Sequence, residues 1–430
     1  MKKFITTAGV AALGVAGVQG AWAPGASSTE TTKPWSVSAT LRGFYDDNYT
    51  TRGKDDVDVN GHSLKRDSFG FEVSPAAALN IFRDQTSFGL SYVFDMRYYD
   101  DREDDKSDFS HQINAKISHA FSPRFKLDAN DSFVIAQEQS IIDPNMNTAS
   151  FIRTDGDNMR NSLGLSLTAG LTENIESVFT YASTWYNYDQ DGPGSRSAIL
   201  DRWEHLFTFN LRRPIFERTV GVLGYQYGMV NYTSNDSLGN PGTPFVDPET
   251  RDNHSHYGYL GIDQTFSPTL NGSIRGGVQY IQYDNIVSGD DSNWGPYVDA
   301  NMTWAYTQGS YAQLGVKHNR IQTDVGLLGT GTPNQDAEAT TIYGSVNHRF
   351  GPFIASLMAS YQHAKFNGGP SDGLADDYFG AGINLTYEIN KFLAAEVGYN
   401  YDNLDSELNQ LGIFRSFSRD RVYVGIRANY

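Results

Sequence analysis

Arginines, lysines and acids recur at alternate positions inside otherwise apolar stretches of this 430-residue chain. Arg42, Arg97, Lys116, Arg160, Arg212, Arg275, Lys317, Arg349, Arg421 and Arg427 stand against Glu72, Asp95, Asp128, Asp299 and Glu396. Residues at every second position of a strand share one face, so each of these charges faces away from the apolar set beside it. Such a mixed lining fits a water-filled bore, where it either sets a transverse field with a weak anion preference or simply pairs across strands. The segment 137–157 is unusually apolar for a loop, and apolar groups gain by leaving water. Ile141, Ile142, Asp143, Phe151, Ile152 and Arg153 are therefore expected to form a constriction, with Asp143 and Arg153 at its narrowest point.

Other groupings have weaker chemistry. Asp55, Asp56 and Asp58 with the run Asp100 to Asp105 offer hard-cation ligands, but lack the glycine turn and spaced glutamate of a calcium loop. They fit a solvated surface bridged to lipopolysaccharide. His254 and His256 form a close pair with no third metal ligand in sequence, and His111 and His119 fall on the apolar parity at strand ends. No phosphate loop, nucleophile elbow or His-Glu-x-x-His motif is present. No catalytic residue, metal or cofactor is expected.

The elements that position these charges are strands. Val422, Val424, Ile426, Ala428 and Tyr430 face one way and Arg421, Tyr423, Gly425, Arg427 and Asn429 the other. Phe88 to Met96, Ile113 to Ile117, Leu163 to Leu171 and Ala300 to Tyr306 repeat the pattern. Tight-turn signals at Arg83-Asp84, Ser122-Pro123-Arg124, Thr172-Glu173-Asn174, Arg213-Pro214, Ser267-Pro268-Thr269, Gln308-Gly309, Gly351-Pro352 and Asn390-Lys391 recur every 40 to 50 residues. Long polar segments at 48–67, 100–107, 137–157, 188–198, 233–254, 284–293, 321–338, 366–376 and 403–418 lie between them. Short turns alternating with long loops define an all-β, closed antiparallel transmembrane barrel, its turns periplasmic and its loops extracellular. About 18 strands are expected, or 16 if the faint segments near 198–212 or 254–266 are not strands.

Lys2 and Lys3 followed by the apolar run Phe4 to Val18 read as a secretory signal over 1–23, cleaved after Gly20 or Ala23. A periplasmic linker 24–34 and a barrel 35–430 follow. Mean hydropathy is −0.46 and no later apolar run reaches the length of a membrane helix. The chain holds no cysteine, 26 Tyr and 25 Phe, enough rings for interfacial girdles. A net charge of −17 argues against nucleic acid as a partner.

Gly43-Phe-Tyr45-Asp46-Asp47-Asn48 and Phe69-Gly-Phe71-Glu-Val73-Ser-Pro75, followed by Tyr92 to Tyr99, resemble the opening strands of the putative beta-barrel porin two family. The likeness is clearest over 35–140. It implies a porin-like barrel of a Gram-negative outer membrane, sometimes encoded near exopolysaccharide export systems, with no established catalytic residues.

Together these features predict a passive channel for small hydrophilic solutes. The alternative is an accessory barrel in exopolysaccharide export or surface assembly, in which Tyr99, Tyr186, Tyr283 and Tyr423 would stack on sugars; their places near strand ends favour interfacial girdles instead. Expected partners are outer-membrane lipid and lipopolysaccharide, the barrel assembly machinery during biogenesis, the solutes themselves and, in a homo-oligomer, further copies of the chain.

Overall fold

A computed structural model describes residues 34–430 apart from 55, 59, 104, 138–156, 287–289 and 327–331. The signal and most of the linker lie outside the described residues, as does the expected constriction Ile141, Ile142, Asp143, Phe151, Ile152 and Arg153.

Eighteen strands form one closed antiparallel sheet: β1 Trp35–Asp46, β2 Ser68–Arg83, β3 Thr86–Tyr99, β4 Ser107–Ser122, β5 Phe125–Ala136, β6 Asn158–Gly170, β7 Glu176–Tyr188, β8 Arg202–Phe216, β9 Thr219–Tyr232, β10 Asn253–Ser267, β11 Leu270–Tyr283, β12 Ser292–Thr307, β13 Ser310–Ile321, β14 Asp336–Phe350, β15 Phe353–Asn367, β16 Ala375–Asn390, β17 Leu393–Ser406 and β18 Phe417–Asn429. Each pairs with the next in sequence. β18 returns to β1 in the register Ser38↔Asn429 through Asp46↔Arg421, and Tyr430 exchanges both backbone bonds with Val37. Closure leaves no unpaired edge, which hydrocarbon could not satisfy. β8 and β10 are the faint segments that left 16 open; both are full strands, so the count is 18.

The eight turns on one rim are two residues long except for 171–175. Gly309 and Gly351 supply the positive φ such tight hairpins require, at 72° and 58°. The opposite rim carries the long loops. Alternation sends Val422, Val424 and Ile426 outward, 48–64% exposed in the isolated chain, and their neighbours inward. An 18-strand barrel is too wide for inward side chains to fill, so it encloses a lumen in place of a packed centre.

Compact packing is instead found among the extracellular loops. A short helix α1, Arg196–Leu200, interrupts the loop after β7. Ser195 caps it by accepting from the Ala198 N–H. Leu200, Leu238 and Leu408, from three different loops, are fully buried, and Val325, Ala337, Phe366 and Leu408 form one apolar cluster.

Candidate functional site

The charged inward residues gather into two groups on facing walls. On the β17–β3 side, Arg42 donates Nε to Glu396 at 2.5 Å and Nη1 to Glu72 at 2.6 Å, while Arg97 Nε reaches the other Glu72 oxygen at 2.6 Å. Asp95 accepts the Ser74 hydroxyl beside them. Nearer the extracellular rim, Arg421 binds Asp46 at 2.7 Å. On the β7–β11 side, Arg212 bridges Glu176 at 2.6 Å and Asp263 at 3.0 Å, and Arg275 takes the second Asp263 oxygen at 2.5 Å. β1 and β10 are nine strands apart in a ring of 18, so these groups confront each other across the lumen. The ion-paired core of each group, Arg42–Glu72–Arg97–Glu396 and Arg212–Glu176–Asp263–Arg275, holds two arginines and two carboxylates.

The remaining expected wall residues also face inward. Asp299 and Lys317 are register partners on β12 and β13. Asp128 pairs with Lys126 at 2.8 Å, and Arg349 makes a two-pronged bond with Glu388 at the periplasmic rim. Arg160 is 8% exposed at the top of β6. Lys116 lies along Gly89, where any side chain would collide with it, and has no ion pair among the described residues. Arg427 likewise has no ion pair there, and its Nε is buried without a partner. The basic surplus expected from parity is therefore largely neutralised. The acids that do so, Glu176, Asp263, Asp46 and Glu388, are legible by the same alternation; their pairings, with neighbouring strands and, for Arg212–Asp263 and Arg349–Glu388, with strands two away, are not.

The tyrosines depart from expectation. Tyr99, Tyr186 and Tyr283 are inward and at most 4% exposed, and so belong to no interfacial girdle. Arg202 covers the Tyr186 ring at 4.1 Å, and the Tyr283 hydroxyl donates to Asp336 at 2.5 Å. Tyr423 also faces inward, beneath Arg42 at 4.9 Å, with its hydroxyl accepting from Asn384 at 2.9 Å. Burial by the loops above makes Tyr99, Tyr186 and Tyr283 inward anchors, whereas Tyr423 lies in mid-strand and is only partly buried. The outward girdle is built by other residues, among them Trp203, Trp294, Trp304 and Tyr225, joined by His111 and His119.

His254 and His256 lie on the same outer face, His254 paired with Asp284 at 2.8 Å. No group of three metal-ligating side chains occurs among the described residues. In the first loop Asp56 accepts the Gly53 N–H, and Asp58 accepts those of Asn60 and His62. These acids thus hold their own turn together. In the next loop, Arg102 grips Asp108 at 2.5 and 3.0 Å.

Sequence alone did not reveal the lid over the mouth. Arg251 donates to the Ile199 carbonyl at 2.9 Å and the Thr323 carbonyl at 2.7 Å, joining the loops after β9, β7 and β13. Arg415, in the loop after β17, grips Asp324 at 3.0 Å and Asp376 at 2.9 Å. Two carboxylates anchor the lid's base: Asp201 accepts the Tyr188 N–H at 2.8 Å and Asp252 that of Tyr232 at 2.7 Å. Burial pushes both up to about 6.

Comparison with known proteins agrees with the architecture. The family model described as Putative beta-barrel porin 2 matches residues 242–430. That span, from the loop before β10 to the C-terminus, excludes Gly43–Asn48 and Phe69–Pro75, so the likeness is strongest in the half where those motifs are absent. The match covers less than half of the chain and marks a likeness to that family, consistent with the closed 18-strand barrel. No curated protein matches it. Similar solved structures include the outer membrane protein OpdK from Pseudomonas aeruginosa, at 11% identity and TM-score 0.45, covering 92% of this chain and 99% of that one. OccAB4 from Acinetobacter baumannii gives 10% and 0.41 with 93% and 99% covered; the FrpB iron transporter from Neisseria meningitidis gives 10% and 0.42 with 93% and 83%.

Proposed function

We propose that this barrel is a passive channel for small hydrophilic solutes, which cross the outer membrane down their own gradients. It reaches that membrane through the secretory pathway and works without turnover, metal or cofactor. The observation that carries this reading is the pair of ion clusters on facing walls, Arg42–Glu72–Arg97–Glu396 and Arg212–Glu176–Asp263–Arg275. Two arginines and two carboxylates on each side give a strong local field with little net charge. Such a wall attracts polar solutes without trapping them, as conduction requires. Lys116 and Arg427 tilt the balance weakly towards anions. The tyrosines that an export barrel would offer to sugars are occupied by Arg202, Asp336 and Arg42, which favours the channel reading over that accessory role.

Single-channel recording in planar bilayers tests it. Discrete steps of stable size with mild anion selectivity are expected. Silence of correctly folded protein would overturn the proposal.

A further inference from the structure

The outer wall is apolar around most of its circumference, and one strip departs from that. Asp131 sits halfway along β5, with Leu127 and Ala129 below it and Phe133 and Ile135 above on the same outward face. Its register partner is Leu163 on β6, which pairs with Ser183 on β7, which pairs with His205 on β8. Asn161, one outward position further up β6, donates its amide to Asp131 Oδ1 at 3.0 Å. Among the described residues the other outward acids, Glu338, Asp377, Asp405 and Asp420, lie near extracellular strand ends, where His318 pairs with Glu338 and Tyr361 and Tyr399 donate to Asp377 and Asp420. Among the described residues, only the strip on β5–β8 carries a carboxylate into the middle of the apolar belt.

Hydrocarbon offers a carboxylate no donor, so leaving Asp131 in lipid costs free energy that one amide only partly offsets. Headgroups lie too far up the wall to reach it. A second barrel in the same membrane sits at the same height and presents the same groups: the Asp131 carboxylate beside the Asn161 amide, with the His205 imidazole, whose Nδ1 meets the Tyr181 hydroxyl at 3.0 Å, further along the strip. The strip is thus complementary to itself, as contacts between identical subunits must be when they share one patch. We infer that the outer face of β5–β8, centred on Asp131 and Asn161, is the contact between copies of this chain in an outer-membrane homo-oligomer.

The test uses full-length protein extracted from outer membranes in mild detergent. Native mass spectrometry should find an oligomer for the wild type. The double variant Asp131→Leu/Asn161→Leu should be monomeric while keeping the heat-dependent gel mobility of a folded barrel. Because the chain has no cysteine, Leu165→Cys, at an exposed outward position of β6, and Leu357→Cys provide an independent arm in intact membranes. Leu357 is 44% exposed on β15, diametrically opposite β6. A short bismaleimide should link the first variant at least tenfold more than the second. A monomeric wild type, a double variant that stays oligomeric, or equal linking at both positions would each overturn the inference. Should the double variant not fold, the cysteine arm decides alone.

Discussion

The Arg251 guanidinium donates to the Thr323 carbonyl at 2.7 Å, tying the loop after β9 to the loop after β13. The same group reaches Ile199 beside α1 and rests on the Tyr232 ring at 4.6 Å. One fully buried side chain therefore links three loops whose strands span much of one side of the barrel. Its partners are carbonyls, so removing it leaves buried acceptors without donors. Charge-assisted bonds of this kind contribute about 1.5–3 kcal/mol each. Arg251→Ala is expected to free the lid without unfolding the sheet. Single-channel conductance should rise and protease should cut within 188–201 and 233–252, with gel mobility of the folded barrel unchanged. Unaltered conductance would mean that the lid does not narrow the path.

Glu72 separates two arginines, accepting from Arg42 and Arg97 through different oxygens. In Glu72→Gln the wall keeps both cations and loses the carboxylate between them. The expected cost lies between the ~1 kcal/mol of an exposed pair and the ~3 kcal/mol of a buried one, since Glu72 is buried but the arginines touch the lumen. The reversal potential under a salt gradient should move towards the anion. Asp263→Asn should act in the same direction from the opposite wall. A shift towards cations in either variant contradicts the assigned geometry.

Acid should tighten the lid. Asp201 and Asp252 titrate at about 6 in the folded loops, against about 4 for an open chain. Between those values the packed lid binds protons that the loosened loops release, so its stability is greatest below about pH 4 and declines as pH rises towards 6. Above that the contribution is flat. Amide exchange in 188–201 and 233–252, corrected for intrinsic rate, should be slower at pH 5 than at pH 7.5. The pair Asp201→Asn/Asp252→Asn should flatten the difference; if it persists, other groups set the pH response.

Alternation makes the wall legible in the sequence. The arginines of β1, β3, β8 and β11 each follow an apolar residue that must meet lipid, so their inward placement required only a period of two. Turn residues at regular intervals made the strand number legible for a similar reason, since each tight hairpin needs its own local chemistry. The pairing of Arg42 with Glu396, 354 positions away, depends on barrel closure, and no local pattern encodes that. The lid was hidden for a further reason. Ile199, Leu238, Val325 and Leu408 come from four different polar loops, with no periodicity to join them until the fold does so. The same lack of periodicity hid the fate of Tyr99, Tyr186 and Tyr283: parity places a ring inside, but only the loops above bury it.

Inside the lumen, aromatic rings repeatedly lie over glycines on the neighbouring strand. Tyr423 covers its register partner Gly398, Tyr343 covers Gly315, Tyr259 covers Gly224 and Phe44 covers Gly70. The ring shields exposed backbone while the missing side chain lets it lie flat against the wall. A Cβ at 398 would enter the Tyr423 ring, so Gly398→Ala must tip that ring into the bore and remove the surface on which Arg42 rests. Overpacking of this sort costs about 1–3 kcal/mol. Gly258 faces outward with open space around it, and Gly258→Ala is expected to stay within about 0.5 kcal/mol of the wild type. Chemical unfolding in detergent should therefore separate the two alanine variants, and single-channel conductance should fall only for the inward one. Equal behaviour of both would show that the ring is not held by the glycine beneath it. A lower conductance that Tyr423→Leu restores in the Gly398→Ala background would place the displaced ring itself in the solute path.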